Sequence, residues 1–521
     1  MSELFKRSTA KLSLAAALLC LCAARGTAAQ TATGALTSQG AVEVAIKNNP
    51  SLHIALLQET QARYSVTAED ALYDPVFGAD ASYGHNRNPS VNGATGTIVT
   101  TTDTLALDAR LTKSFATGTS VTAQLSGQRQ ARSSLAANTL GGTNAFGPFY
   151  SVAGSLALTQ PLLRGAGSTL GLASLRVAQL NRTAATLAAQ QTGSQVLHDV
   201  LVDYWELWFA TESVRIDEAS RDLAKTQQTQ AEEQVKSGTL ANVDALPFAT
   251  QTAQQDVVLD TAVTNVRQNA LGLALVIGQV DNTRAELTAT DTPPDVTVDE
   301  LDARAIDEAL AASYELKQAQ ANLQVSQYQA KIAGDSLRPR LDLSASVTAQ
   351  GLGNRAVSPA FDQFGRLDAV SAQVALAFET PVTNTRRNAQ IESALLSMHI
   401  AEKQIESQRQ QIKTNIESTL SKRNAAKRRL EFALVTEKVS HDQALGVQGK
   451  FQAGTALAIE VQKANNDYQS AQLTVQRARV DLVEAELDLL NLRGKLLERY
   501  ADLLKSYQPT ALILKDATDP M

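Results

Sequence analysis

Cysteine is almost missing: the 521-residue chain has two, Cys20 and Cys22. Both fall in a segment where Lys6, Arg7 and Lys11 precede an apolar run from Leu12 to Cys22 and the small residues Gly26-Thr27-Ala28-Ala29. That order predicts a secretory signal peptide over residues 1–29, cleaved near Ala29-Gln30. The apolar run is roughly half the about twenty residues that a spanning helix requires. A chain cleaved there keeps no thiol, which excludes a disulfide framework, a cysteine–zinc site and a thiol nucleophile.

Long apolar runs are missing as well. No later stretch approaches the length of a spanning helix, so a membrane-embedded form of this chain has to be a closed β-barrel. An excess of basic charge is also lacking. The net charge is −6 with 19% charged residues of mixed sign, which leaves no basic footprint and predicts no nucleic-acid partner.

What is present falls into two patterns. Alternation of the strand type runs through Phe77–Gly84, Leu105–Thr112, Val121–Ser126, 154–160 and 370–378. It is unbroken in Leu341, Leu343, Ala345, Val347 and Ala349 against Asp342, Ser344, Ser346, Thr348 and Gln350. A period of two puts every apolar side chain on one face of a strand. Segments of about ten residues match a tilted membrane strand.

The second pattern is helical. Residues 172–237 and 384–449 contain no proline and little glycine; a continuous helix of that length would measure roughly 100 Å. Near the C-terminus Val480, Val483, Leu487, Leu490, Leu497 and Leu504 keep three- and four-residue steps across Gly494 and Ala501. Such a seam predicts supercoiled helices packed side by side.

The two halves repeat. Asn49-Pro50-Ser51-Leu52 followed by Pro75 corresponds to Ser313-Tyr314-Glu315-Leu316 followed by Pro339, both at an offset of 264 residues. Gly238, Asp244 and Gly278 correspond to Gly454, Glu460 and Gly494, all at an offset of 216. The drop of about 48 residues falls between the outer strands of the first half, where two alternating stretches joined through Gly118 read as an added hairpin over about 98–130. The predicted organisation is a signal peptide (1–29), a first repeat (30–286), a second repeat (287–505) and a C-terminal tail (506–521).

This arrangement resembles the TolC-like outer membrane efflux proteins over roughly Leu36 to Leu504. The words that carry the resemblance are Ala45-Ile46-Lys47-Asn48-Asn49-Pro50, Thr159-Gln160-Pro161-Leu162-Leu163-Arg164-Gly165, Glu379-Thr380-Pro381 and the Gly-Thr turns before the return helices. It implies a mainly α fold with a β-barrel part. In such a homotrimer the strands form one twelve-stranded outer-membrane barrel, four from each chain. A long periplasmic α-helical coiled-coil barrel continues it. It implies a passive duct of a tripartite efflux or type I secretion system, located in the outer membrane of a Gram-negative bacterium and reaching into the periplasm. Its partners would be outer-membrane lipid, a periplasmic adaptor and an inner-membrane pump.

No cofactor, metal or catalytic site is expected. Gly165-Ala166-Gly167-Ser168-Thr169-Leu170-Gly171 resembles a dinucleotide fingerprint, but its third glycine is misplaced and Gln190 and Gln191 stand where an acid is required. His53, His85, His198, His399 and His441 are scattered. A trimeric coiled-coil spacer or adhesin is the alternative, yet its stalk would run once, whereas this repeat sends the chain out and back twice.

The expected gate lies at the far ends of the long helices. Gly238 and Thr239, with Gly454 and Thr455, form the tip turns, and Asp244 and Glu460 follow within about two helical turns. Threefold symmetry would gather six carboxylates there, favouring cations. The resemblance matches Glu460 to an acidic ring position and Phe451 to an aromatic position near the gate of relatives. Lys463 stands where some relatives carry a further acid.

Overall fold

The computed structural model describes residues 35–92, 96–136, 143–279, 287–294 and 302–500. The predicted signal peptide and C-terminal tail lie outside the described residues. The chain divides into two compact units: one formed by residues 49–198, 297–425 and 485–521, the other by 1–48, 199–296 and 426–484.

The first unit holds the sheet. Its strands are β1 (Val76–Asn92), β2 (Gly96–Ser114), β3 (Ser120–Ala136), β4 (Thr143–Pro161), β5 (Arg340–Asn354) and β6 (Ala369–Glu379). They pair antiparallel in the order β1-β2-β3-β4-β5-β6. The register is continuous except for a shift between Gln130 and Arg132 in the β3–β4 pair, so over the rest of the sheet the alternation seen in each strand adds up to two faces. Phe77, Leu111, Ala123, Leu156, Val347 and Ala372 form one row across all six strands. The next row, on the opposite face, is Gly78, Arg110, Gln124, Ser155, Thr348 and Ser371. Large apolar side chains of the first face are open: Phe77 is 70% exposed and Leu376 62%.

Two expectations change here. The resemblance implies four strands per chain, and the added hairpin expected from the sequence, whose place was left open, pairs within the sheet as β2 and β3, giving six. The first four strands also have 17 or 19 residues, well beyond the 9–11 that cross a membrane. Whereas the surplus of β2 keeps Ile98 and Val99 and that of β4 keeps Phe149 and Tyr150, in β1 the surplus is polar on both faces at His85, Asn86, Arg87 and Asn88 and shows no alternation to read. Cross-strand contacts hold it, with His85 Nδ1 2.6 Å from Asp103 Oδ1.

Between β5 and β6, helix α7 (Ser358–Arg366) lies on the apolar face. Glycines make the approach possible: a Cβ on Gly351 would stand 1.9 Å from the Ala360 carbonyl oxygen, and one on Gly353 2.3 Å from that of Ala356.

The long helices are α3 (Ala173–Lys236, 64 residues) and α8 (Thr385–Gln452, 68 residues), each followed by a 35-residue return, α4 (Asn242–Val276) and α9 (Ala458–Leu492). The long-helix bounds differ from the sequence expectation by three residues or fewer.

The shorter helices show the repeat in hydrogen bonds. Asn49 caps α2 (Pro50–Asp70) by accepting from the Leu52 N–H at 2.9 Å, and Ser313 caps α6 (Tyr314–Asp335) by accepting from the Leu316 N–H at 3.1 Å. Such caps satisfy a donor left open by the first helical turn.

The C-terminal seam is not one helix. Gly494 adopts φ 67° and ends α9, so the heptad step to Leu497 is lost and Leu496 becomes the fully buried residue. Leu504 lies outside the described residues. Within the first unit Ile405, Ile412, Ile416 and Leu420 of α8 pack with Leu489, Leu316, Ala305 and Ala309. Within the second, Tyr204 is fully buried, donates to the Leu36 carbonyl at 3.1 Å and accepts from the Asp291 N–H at 3.0 Å. Trp205 meets it edge-on at 5.1 Å.

Candidate functional site

Both long helices end in the same hydrogen-bonded turn. After α3 the Thr239 N–H reaches the Gln234 carbonyl at 2.9 Å and the Gly238 N–H reaches that of Val235 at 3.0 Å. After α8 the Thr455 N–H bonds the Lys450 carbonyl at 2.9 Å and the Gly454 N–H that of Phe451 at 2.9 Å. These are the 6→1 and 5→2 bonds of a helix stop whose C′ residue is left-handed, and Gly238 and Gly454 have φ 78° and 74°. The Thr239 and Thr455 hydroxyls bind the same carbonyls again, each at 3.0 Å.

Asp244 and Glu460 then occupy equivalent places in the first turns of α4 and α9, and both are exposed. The Glu460 carboxylate accepts from the Leu457 N–H at 3.0 Å, half of a capping box that also suits the helix dipole. Lys463 is exposed. Phe451 packs edge-on against Phe248, centroid to centroid 5.8 Å, with Phe248 2% exposed. The structure therefore brings Phe451 to the first hairpin of helices, a partner the sequence reading had not found. Beside this pair an open groove of about 780 Å³ runs along Val243, Leu246, Pro247, Ile459 and Lys463.

Two polar constellations in the same unit had gone unread. The first is an amide seam. Gln255 and Gln469 exchange amide hydrogen bonds at 3.0 and 3.2 Å, Gln469 also donates to Asp217 at 2.8 Å, and Gln251 donates to Asn466 at 2.8 Å. Asp217 is 3% exposed, and burial raises its pKa above the usual carboxylate value. Gln462, Asn466 and Gln469 follow four- and three-residue steps, the spacing of a heptad seam written in amides. Polar core positions specify helix register at a cost in stability.

The second is a charged knot. The Arg477 guanidinium lies 2.7 Å from Glu206, 2.6 Å from Asp481 and 3.3 Å from Glu484, and over the Phe209 ring at 5.4 Å. Arg429 meets Asp481 at 2.8 Å. Three carboxylates thus face two guanidiniums. Burial, then the charge of Glu206, pushes the Glu484 carboxyl up to about 8. Asp203 is raised by burial, then by Asp199 and Glu206. Arg477 and its neighbour Arg479 look alike in the sequence, which therefore carries no signal for this knot.

The glycine-rich junction after β4 is occupied by the protein itself. The Gly165 N–H bonds the Asp335 carboxylate at 2.7 Å and the Gly167 N–H the Thr117 carbonyl at 3.2 Å. Backbone donors that a phosphate would require are thus engaged. His198 sits 2.7 Å from Asp488.

Residues 305–503 match the family model described as outer membrane efflux protein. No curated protein matches the chain. Among solved structures it is similar to the Campylobacter jejuni CmeC outer membrane channel at 12% identity and TM-score 0.65, covering 91% of this chain and 90% of that one. The outer membrane protein VceC from Vibrio cholerae gives 14% and 0.65, covering 88% and 96%. The open state of the Neisseria gonorrhoeae MtrE outer membrane channel gives 16% and 0.60, covering 88% and 89%. Residues 305–503 thus carry an outer membrane efflux protein domain, and the chain as a whole has the TolC-like fold of the outer-membrane channels.

Proposed function

We propose that this protein is the outer-membrane duct of a tripartite efflux or type I secretion system, a passive homotrimeric conduit for small molecules or polypeptides. The observation that carries this reading is the sheet, apolar on one face, polar on the other and, among the described residues, unpaired at both edges. In lipid every backbone N–H and C=O must be satisfied, so such a sheet has to close, and its edges call for further copies. Phe432, Val435 and Val439 add an exposed apolar stripe at three- and four-residue steps along α8, which suits a neighbouring copy. The first repeat is taken as residues 30–286 and the second as 287–505. Energy would come from an inner-membrane pump, reached through a periplasmic adaptor. The exposed Val243, Leu246 and Ile459 give the adaptor an apolar foothold at the helix tips.

Deletion of the gene should raise sensitivity to amphipathic toxic compounds or remove a polypeptide from the secreted proteome. A deletion strain equal to its parent in both tests would remove support for export. A spacer or adhesin would leave a planar bilayer non-conducting, whereas the duct conducts.

At the gate, Asp244 and Glu460 from three copies form a ring of carboxylates, moderated by Lys463 and braced by Phe451. Charge can be tested without losing the cap, because glutamine also serves at that capping-box position. Asp244→Asn with Glu460→Gln should lower cation preference in single-channel recording and weaken block by multivalent cations. Unchanged selectivity and block would assign the two acids to helix capping alone.

A further inference from the structure

The geometry points to an eighteen-stranded barrel wall, closed where the free edge of β1 pairs with the free edge of β6 on the next copy. This rests on the reading that three copies assemble. Each chain contributes six strands in an unbroken antiparallel order, so β1 and β6 run in opposite directions and their edges meet antiparallel, as a closed up-and-down wall requires.

The decisive question is whether β2 and β3 belong to the wall or rise above it. Their membrane-side halves carry the same apolar row as the strands on either side, with Leu107 56% exposed and Leu125 50% exposed. A hairpin standing in water would have no use for a row of open leucines in register with Ala81 and Gly154. In their outer halves the leucine row gives way to Thr101, Asp103, Arg129 and Ser133 on the same face, and the sheet continues beyond the apolar belt. Lipid on one side therefore accounts for the inner halves, and water on both sides for the outer ones.

The consequence is aperture. With strands about 4.8 Å apart and tilted about 40°, eighteen strands enclose a cylinder roughly 36 Å across between backbones, against roughly 24 Å for twelve. The cross-section rises about 2.2-fold by the same geometry. The face that would line it mixes small side chains such as Ser82, Ala106, Ser126, Ser155 and Ser346 with the longer polar Asp108, Arg110, Gln124 and Gln128 of the added hairpin, which take back part of the added width.

Electron cryomicroscopy of the detergent-solubilised full-length protein counts strands and copies together. Three copies with eighteen strands is the expected result. Three copies with a twelve-stranded wall and β2–β3 outside it would overturn the inference and leave the trimer standing. Any other copy number would overturn both. As a second measurement, neutral polyethylene glycol of about 10 Å hydrodynamic radius should enter the native barrel mouth and depress single-channel current. A variant lacking residues 94–137, in which β1 runs directly into β4, should exclude it. Exclusion by the native channel would likewise reject the wide wall, whether or not the shortened variant folds.

Discussion

Replacing Gly278 with alanine should cost about 3 kcal/mol, among the largest losses available from one methyl group in this chain. Two penalties add. Gly278 has φ 74°, where an L residue is strained by roughly 1–2 kcal/mol. A Cβ there would also stand 2.4 Å from the Asn48 carbonyl oxygen, so α1 (Ser38–Asn48), whose Ala41, Val42 and Ala45 are fully buried, has to move. The repeat supplies its own controls. Gly494, the counterpart of Gly278, has φ 67° and would meet the Ala312 Cβ at 2.9 Å, one methyl group where Gly278 meets a backbone carbonyl, so Gly494→Ala should lose about 2 kcal/mol. Gly454 has φ 74° with nothing near its missing Cβ, so Gly454→Ala isolates the backbone term at about 1 kcal/mol. Urea unfolding followed by circular dichroism gives the order directly, and equal losses at all three sites would show that the close approach to Asn48 contributes nothing.

That the two glycines approach Asn48 and Ala312, themselves 264 residues apart, shows how the sequence repeat becomes a structural one. It was legible because turns and caps need particular residues: glycine for positive φ, Asn or Ser to accept a first-turn N–H. The two long helices were legible because proline is absent over their whole length, and the inner half of each strand because its two faces differ in polarity. Where both faces are polar, as from His85 to Asn88, alternation vanishes and the strand length could not be read. The break at Gly494 was passed over because the heptad continued in letters while the backbone turned left-handed. At the tip, the turns were readable from Gly-Thr, but the partnership of Phe451 with Phe248 was not. It joins residues 203 positions apart through no shared motif. The amide seam was missed for a different reason: a search for apolar periodicity passes over Gln462, Asn466 and Gln469 although they keep the same steps.

The charged knot is where pH should act on stability. In the folded protein Glu484 holds its proton up to about 8, while its ordinary value is 4.5. As pH rises through that window the unfolded chain releases the proton and the folded chain keeps it, so unfolding is favoured progressively. The penalty is absent below about 4.5, grows between the two values and is complete above about 8. Asp203, raised by burial, acts in the same direction. A full proton would give about 1.4 kcal/mol per pH unit. With 22% of the Glu484 side chain open to water and Arg477 beside it, screening reduces the total to about 2 kcal/mol. Glu484→Gln should therefore match the parent near pH 5 and be more stable by that amount near pH 8.5. Arg477→Met should do the reverse, losing about 3 kcal/mol because Glu206, Asp481 and Glu484 are left with Arg429 alone. Its loss should deepen as pH rises, since each further ionisation adds repulsion. Joining the two substitutions separates charge from packing. If the knot is overloaded with acid, Glu484→Gln recovers part of what Arg477→Met loses, a coupling that thermal melting of the four proteins at both pH values would measure. Additive losses with no dependence on pH would mean that Arg477 matters through its stacking on Phe209 and not through charge.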